Sequence, residues 1–262
     1  MKGKIRGADD KHLTCLVTGF EPFGQSRSNP SAELVEALSD RIYYGFNKSE
    51  SGRTGKVRLK LHRQVLPTAG KSGWQALKKA IDETLLSGEG PVLLLMTGLA
   101  ASRPHLSIER FALNVRDYGI ADNEGAIIHD SFVDPEQPDL LRTSLALPPV
   151  AALIKAAGYP CEISNHAGTF ICNELYFKAL TYCRKHGRGR IKAVLFMHLP
   201  SLENFAESCA ASPTRSVSRR AKQADSRIKR LRLLKGAAVA VLKAMVTEQE
   251  NQEQVPVSGL HQ

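Results

Sequence analysis

The stretch Pro91-Val-Leu-Leu-Leu-Met96 decides the fold class, because it is apolar at every position. A strand whose side chains are all apolar is typical of a parallel sheet covered by helices on both faces. The same character returns in Ala193-Val-Leu-Phe-Met197, and Leu13-Thr-Cys-Leu-Val17 is a third short β-prone run. The sequence therefore predicts several buried, parallel strands.

Helical segments are predicted between these strands. Apolar residues recur at helical spacing in two of them: Leu34, Val35, Leu38 and Ile42 in the first, which Asn29-Pro30-Ser31 can cap, and Trp74, Leu77, Ile81 and Leu85 in the second. Further helices are predicted over 135–157, 170–184 and 224–246, further strands over 57–61 and 108–115, and a surface turn over 45–55. Strands that alternate with helices indicate a single three-layer α/β/α domain with a twisted, largely parallel central sheet.

One domain is expected for 262 residues of which 42% are hydrophobic. Residues 1–12 and 251–262 are predicted to be flexible tails around a domain at 13–250, with a basic insertion at about 210–224. No apolar run reaches the roughly 18 to 20 residues that cross a bilayer, and no signal peptide is recognisable. A soluble, cytoplasmic protein is therefore expected. Five scattered cysteines without a C-x-x-C pair predict free thiols.

The positive charge is local. Residues 215–235 contain nine basic residues and one acidic residue, and so carry most of the net charge of +10. Such a segment is typical of a solvated insertion or interface helix, or of a polyanion-binding patch. The first interpretation is favoured, and neither nucleic acid nor a membrane is an expected partner.

His198 lies where an open α/β sheet places its ligands. These sites form at the carboxyl ends of the strands, where loops and helix N-termini meet. The predicted strands end at Thr18-Gly19-Phe20, at Thr97-Gly98 and at His198. A rigid strand end suits a general base, although a hydrogen-bonded histidine at the rim is equally consistent with this position.

Cys172 is the candidate nucleophile, because it follows the small turn Ala167-Gly168-Thr169 and opens a predicted helix. The positive end of the helix dipole favours the thiolate, which is the nucleophilic form. The alternative is an inert core position, since Cys172 shares a helical stripe with Leu175, Tyr176, Ala179 and Cys183.

Glu109 is the third candidate, within an otherwise apolar segment. A carboxylate there can orient an imidazole and stabilise its charged form. The alternative is an ion pair with Arg103 or Arg110.

Several familiar signatures are absent from the sequence. It has no G-x-S-x-G, G-x-x-x-x-G-K-[ST], H-E-x-x-H or G-x-G-x-x-G motif, which disfavours a serine hydrolase, an NTPase, a zincin and a dinucleotide enzyme. The histidines and cysteines match no zinc spacing. No metal and no organic cofactor are expected.

Four separated blocks carry a family resemblance: Leu16-Val-Thr-Gly-Phe-Glu-Pro-Phe-Gly24 with Asn29-Pro30, Ile108-Glu-Arg-Phe-Ala-Leu-Asn114 with Asp122-Asn123, Ser164-Asn-His-Ala-Gly-Thr-Phe-Ile-Cys-Asn173, and Phe196-Met-His-Leu-Pro200. Over about residues 13–204 the chain resembles the pyrrolidone-carboxylate peptidases, or pyroglutamyl-peptidases I. These are cysteine peptidases with a Cys, His and Glu triad. The resemblance implies that Cys172 is the nucleophile, His198 the general base and Glu109 the orienting acid.

The resemblance also implies the substrate and its pocket. Such an enzyme hydrolyses the bond after an N-terminal pyroglutamyl residue of a peptide through a thioester, and assembles as a homo-oligomer, often a tetramer. Phe20 and Phe23 would line the pocket, with Phe170 beside the nucleophile and Asn29 supporting the loop. Aromatic walls suit a flat, uncharged lactam.

Two segments depart from the family pattern. Ala101-Ser102 stands where two glycines precede an arginine, and Asp117-Tyr118-Gly119 lacks the arginine that is usual at its third position. Arg103 or Arg116 could substitute for that cation. Two alternatives therefore stay open: a thiol amidase for a different small lactam or acyl amide, and a catalytically weak homologue that binds polyanions through residues 215–235.

Overall fold

The computed structural model describes residues 11–48, 53–88, 90–187, 189–211 and 227–254. The strands of this part of the chain are β1 (Lys11–Phe20), β2 (Arg41–Lys48), β3 (Arg53–Leu66), β4 (Val92–Leu99), β5 (Leu106–Leu113), β6 (Leu140–Arg142), β7 (Cys161–His166) and β8 (Ile191–Leu199). The helices are α1 (Pro30–Ala37), α2 (Gly70–Leu86), α3 (Leu147–Ala156), α4 (Ile171–His186), α5 (Leu202–Ala211) and α6 (Arg227–Gln254).

All eight strands form one sheet, in the order β2-β3-β1-β4-β8-β5-β6, with β7 paired to β5. Strands β3, β1, β4 and β8 run parallel to one another, and β7 is parallel to β5. Strand β2 runs antiparallel to β3, and β5 runs antiparallel to β8 and β6. The predicted sheet, largely parallel, is confirmed.

Helices cover both faces of the sheet. Helices α1, α3, α5 and α6 share one hydrophobic core with one face, and α2 and α4 share a second core with the other face. The second face is called here the α4 face. The predicted three layers are therefore confirmed.

Strand β4 shows why its sequence is apolar throughout. Leu93 and Leu95 belong to the first core, whereas Leu94 and Met96 belong to the core on the α4 face. All four are at most 1% exposed. Because successive side chains of a strand point to opposite faces, both sets must be apolar where helices cover both faces, and each buried side chain stabilises the fold by about 1.5 to 3 kcal/mol.

The segment after α1 differs from its prediction. Ile42 does not continue the helix but lies in β2, and the predicted surface turn over 45–55 contains the end of β2 and the start of β3. The helix prediction extended too far because an apolar residue four positions after Leu38 fits helical spacing even when the chain has already left the helix.

The prediction that residues 135–157 are mostly helical, with proline punctuation, is also wrong. Only the last part of this range, α3, is helical, and Pro148 lies in the first turn of that helix, where its missing N–H costs nothing. Before it, the Asp134 carboxylate accepts a hydrogen bond from the Glu136 N–H (3.1 Å), and residues 140–142 form β6. Pro135 therefore lies in a turn before β6, whereas Pro148 lies in the first turn of α3.

At the ends of the described chain, β1 already includes residues 11 and 12, and α6 continues to Gln254. Most of the predicted basic insertion lies outside the described residues, while 210 and 211 end α5. Among the helices in the described ranges, none combines the length and the apolar character that a membrane span requires.

Candidate active site

Three elements carry the candidate catalytic residues to the same edge of the sheet. Cys172 lies in the first turn of α4, and His198 is next to last in β8. His198 is level with Gly98 of β4 on one side and with Ser107 of β5 on the other. Because β5 runs antiparallel to β8, the first half of β5, including Glu109, lies beside the carboxyl end of β8.

Glu109 contacts both an imidazole, that of His198, and a guanidinium, that of Arg103. Its Oε1 lies 2.7 Å from Nδ1 of His198 and accepts a hydrogen bond of 2.7 Å from Nη1 of Arg103. The Glu109 side chain is fully buried and that of His198 is 6% exposed. Arg110 instead donates to the Asn165 amide oxygen (3.0 Å). The carboxylate is thus positioned to hold the imidazole while it forms an ion pair with Arg103.

The thiol of Cys172 packs against Gly98. A Cβ atom at Gly98 would lie 2.9 Å from Sγ of Cys172 and 2.9 Å from the Phe196 ring, so only glycine fits. Since Gly98 is level with His198 in the sheet, the Cys172 thiol lies against the end of the strand that neighbours the one carrying the imidazole. Cys172 is partly exposed, whereas Leu175 and Cys183 of the same helical stripe are buried.

Desolvation changes the expected ionisation of Cys172, because its sulfur packs against Gly98 although the residue as a whole is partly exposed. Desolvation raises the pKa of the Cys172 thiol to about 12, and the negative charge of Glu109 acts in the same direction. Arg103 and the backbone N–H of Cys172 lower the pKa, but by less. The expectation that the start of α4 favours the thiolate is therefore outweighed by desolvation, and the free thiol is neutral near pH 7.

Backbone N–H groups at the start of α4 face no side-chain cap. Phe170 is the N-cap and makes no side-chain hydrogen bond to the helix, although its carbonyl accepts the Glu174 N–H (3.0 Å). The turn before it uses Gly168 at φ +83°, a conformation that favours glycine. The uncapped N–H groups beside Cys172 are suitable donors for an oxyanion.

The predicted aromatic residues are placed unequally. The rings of Phe23 and Phe170 are 5.2 Å apart, and both residues are partly exposed beside the start of α4. Phe20 is only 2% exposed, with its ring 6.5 Å from that of Phe196 in the core on the α4 face. Phe23 and Phe170 therefore form an accessible pair, whereas Phe20 lies beneath the surface.

Asn29 is committed to the loop that carries Phe23. Its amide donates to the Glu21 carbonyl (3.1 Å), and its Oδ1 accepts from the Ser31 N–H (3.0 Å) and the Ser31 hydroxyl (2.8 Å). Asn29 is also the N-cap of α1. These bonds join the loop to the start of α1, and the role of Asn29 in a pocket stays a prediction.

Sequence reasoning missed two asparagines that brace the site. The Asn123 amide donates to Glu21 Oε1 (2.8 Å) and to the Pro22 carbonyl (3.0 Å). Asn173, next to Cys172, donates to the carbonyls of Leu113 (2.8 Å) and Val115 (3.0 Å). Asn173 is fully buried. Both asparagines stand in the blocks that carry the family resemblance, and this was the available signal.

Of the two segments that depart from the family pattern, the one that contains Ala101-Ser102 leads into Arg103, which contacts Glu109. A Cβ atom at Gly119 would meet nothing within 4 Å, so this position is open. Arg116 donates to the Phe132 carbonyl (3.1 Å) rather than to Glu109. Arg103 and Arg116 were the two candidates to replace the missing cation, and Arg103 is the one that contacts Glu109. Within the described part of the chain, no three His, Cys, Asp or Glu residues are grouped to hold a metal.

Sequence comparisons point to a single family. The sequence profile described as pyroglutamyl peptidase matches residues 13–226. A pyrrolidone-carboxylate peptidase of Deinococcus radiodurans is 35% identical over 188 residues, covering 72% of this chain and 78% of the relative. One of Bacillus mycoides is 32% identical over 205 residues, covering 78% of this chain and 86% of the relative.

Comparison with solved structures points to the same family. The crystal structure of pyrrolidone carboxyl peptidase from the keratin-degrading bacterium Fervidobacterium islandicum superposes with a TM-score of 0.67. The superposition covers 90% of this chain and 99% of that chain, at 26% sequence identity.

Proposed function

The chain belongs to the pyroglutamyl peptidase family and is a cysteine peptidase of this type; from this premise we propose that Cys172, His198 and Glu109 are its catalytic triad. The observation that carries the assignment is the shared Oε1 of Glu109, which lies 2.7 Å from Nδ1 of His198 at the strand end next to Gly98 and Cys172. A pyroglutamyl peptide is the substrate.

The proposed reaction begins with a neutral thiol, because burial raises the pKa of Cys172 to about 12. Nδ1–H of His198 donates to Glu109, which leaves Nε2 free to accept the thiol proton. The sulfur then attacks the carbonyl carbon that joins pyroglutamate to the next residue. Attack and proton transfer are coupled, and Glu109 stabilises the imidazolium that results.

The oxyanion of the tetrahedral intermediate is stabilised by the N–H groups at the start of α4. When the C–N bond breaks, the imidazolium of His198 gives its proton to the leaving amine, and a thioester with Cys172 stays behind. Water then attacks the thioester while His198 accepts a proton from it. Free pyroglutamate leaves, and the thiol is restored.

The substrate ring is proposed to lie against Phe23 and Phe170. Two aromatic faces bind a flat lactam through apolar contact, and backbone groups bind its amide. Phe20 and Asn29 support this pocket from beneath, Phe20 through the core and Asn29 through the loop.

The polyanion-binding alternative loses support in the described part of the basic segment. Nε of Arg227 donates to Glu33 (3.0 Å), and Arg230 forms an ion pair with Glu203 (2.6 Å). These cations form ion pairs with carboxylates of the same chain.

The five cysteines are all free thiols, which suits the proposed cytoplasmic location. Assembly as a homo-oligomer stays a prediction, which light scattering tests.

The deciding experiment is hydrolysis of a chromogenic pyroglutamyl amide by the wild type, Cys172→Ala and a matched control, Cys183→Ala. We expect Cys172→Ala to lose at least about four orders of magnitude in kcat, because the nucleophile is removed. Cys183 is buried on the same helix, and Cys183→Ala should keep the activity of the wild type if it folds. Full activity in Cys172→Ala, or a preference for another acyl amide, would contradict the proposal.

A further inference from the structure

Behind the accessible aromatic pair lies a second buried carboxylate, Glu174. It is 1% exposed and stands two positions after Cys172 on α4. Its Oε2 accepts a hydrogen bond from the Tyr118 hydroxyl, and its Oε1 pairs with Nζ of Lys178 one turn later. A buried carboxylate is costly unless such partners compensate for the lost water, so this cluster calls for an explanation.

Tyr118 connects this carboxylate to the substrate pocket. Its ring is fully buried and meets the Phe170 ring edge-on, with centroids 4.8 Å apart and planes at 75°. Burial and the hydrogen bond to Glu174 raise the pKa of Tyr118 above its usual range, so its hydroxyl stays protonated and donates. Phe170 in turn contacts Phe23.

The backbone around Tyr118 is tied to the same place. The Asp117 N–H donates to the Thr169 carbonyl (3.0 Å), and the Thr169 hydroxyl donates to the Asp117 carbonyl (2.9 Å). The first turn of α2 closes over the cluster, since a Cβ at Gly70 would lie 3.1 Å from the Tyr118 hydroxyl and 3.2 Å from Glu174. The phenol is therefore closely packed between Gly70 and Glu174.

We infer that Tyr118 and Glu174 are positioning residues that hold Phe170 in place as the wall of the pyroglutamyl pocket. The inference rests on the proposed function, because it assigns Phe170 to that pocket. Neither residue touches the reacting atoms. A fixed wall improves binding of the ring equally before and during the reaction, so its loss raises KM and leaves kcat nearly unchanged.

The chain contains a matched control for this cluster. On the same helix, the Tyr182 hydroxyl donates to Asp82 (2.6 Å), and Asp82 pairs with Lys78 one turn earlier (3.1 Å). The Tyr182 ring meets Trp74 edge-on at 5.6 Å. The phenol, carboxylate and lysine are of the same kinds, although Tyr182 and Asp82 are partly exposed, and Tyr182 lies ten residues after Cys172 on α4.

The test compares Tyr118→Phe, Glu174→Gln and the control Tyr182→Phe. Steady-state kinetics on a pyroglutamyl amide should show a KM raised about three- to tenfold for the first two variants, with kcat within about twofold, as expected when one hydrogen bond is lost. Tyr182→Phe should change neither constant. An unchanged KM in Tyr118→Phe, or an equal rise in Tyr182→Phe, overturns the inference.

A binding measurement separates this inference from the assignment of the triad. The probe is 2-pyrrolidone, the lactam ring without a scissile bond, titrated calorimetrically into Cys172→Ala with and without Tyr118→Phe. Weaker binding with Tyr118→Phe, by the same factor as the KM change, supports the wall even if Cys172 is not the nucleophile. Equal binding overturns it even if the triad is correct.

Discussion

Glu109 and Glu174 are both buried carboxylates near Cys172, 0% and 1% exposed, yet their partners differ. Glu109 holds an imidazole and an arginine on one oxygen, whereas Glu174 holds a phenol and a lysine on separate oxygens. An imidazole changes its charge near neutral pH, but a buried phenol does not. The first carboxylate is therefore suited to proton transfer, and the second only to holding an aromatic wall.

The largest expected difference between the two is in kcat. Glu109→Gln should lower kcat by about three to four orders of magnitude, because a neutral amide neither orients the correct imidazole tautomer nor stabilises the imidazolium. Glu174→Gln should leave kcat nearly unchanged. Steady-state kinetics at saturating substrate measures both. A similar loss of kcat in the two variants would remove the distinction.

A smaller loss of kcat is expected from Gly98→Ala. This change affects the site that contains Glu109 and Cys172 and leaves Glu174 unchanged. The new Cβ would lie 2.9 Å from the sulfur of Cys172 and must displace it. We expect kcat to fall about 10- to 100-fold, since small misplacements of reacting groups have effects of this size. The control is Gly88→Ala, whose Cβ meets nothing within 4 Å. Equal activity of both variants would show that the thiol is not confined at Gly98.

Arg103, which pairs with Glu109, and Lys178, which pairs with Glu174, should also differ in their effect on the pKa of the Cys172 thiol. Arg103 lowers the pKa of Cys172, so Arg103→Gln should raise it. A higher pKa means less thiolate at any given pH below it, and alkylation of Cys172 by iodoacetamide at pH 8 should slow about three- to tenfold. Lys178→Gln, on the other carboxylate, should leave the rate unchanged. Faster alkylation in Arg103→Gln would reverse the assigned sign.

The smallest effect is expected at the ion pair of Arg227 with Glu33, whose carboxylate is less buried than Glu109 and Glu174 and serves as the baseline for both. The side chain of Arg227 is 54% exposed and pairs with Glu33. Arg227→Ala should cost less than about 1 kcal/mol in the free energy of unfolding, because surface ion pairs contribute little. Denaturant unfolding and the peptidase assay check this. A loss of activity would contradict this and give the start of α6 a role in catalysis.

Much of the fold could be predicted from local pattern. The wholly apolar β4 and β8 predict a covered sheet, and His198 follows from its position at a strand end. The direction of β5 could not be predicted, because an apolar segment reads the same in parallel and antiparallel strands. Yet this direction places Glu109 beside His198.

The second carboxylate cluster was hidden for a different reason. Tyr118 lies in a segment without helix or strand periodicity, and its partner Glu174 is 56 positions away in the chain. Only the packing of that segment against α4 brings them together. Likewise, the neutral state of Cys172 depends on burial, which outweighs the effect of the helix start that the sequence did reveal.

The most direct test of the central claim is alkylation of the intact enzyme with iodoacetamide, with modification of each cysteine followed by mass spectrometry and activity assayed in parallel. Cys172 is partly exposed, whereas Cys15, Cys161, Cys183 and Cys209 are at most 7% exposed. We predict that activity falls in proportion to modification of Cys172 alone. Activity that survives full modification of Cys172, or that falls with another cysteine, would contradict the account.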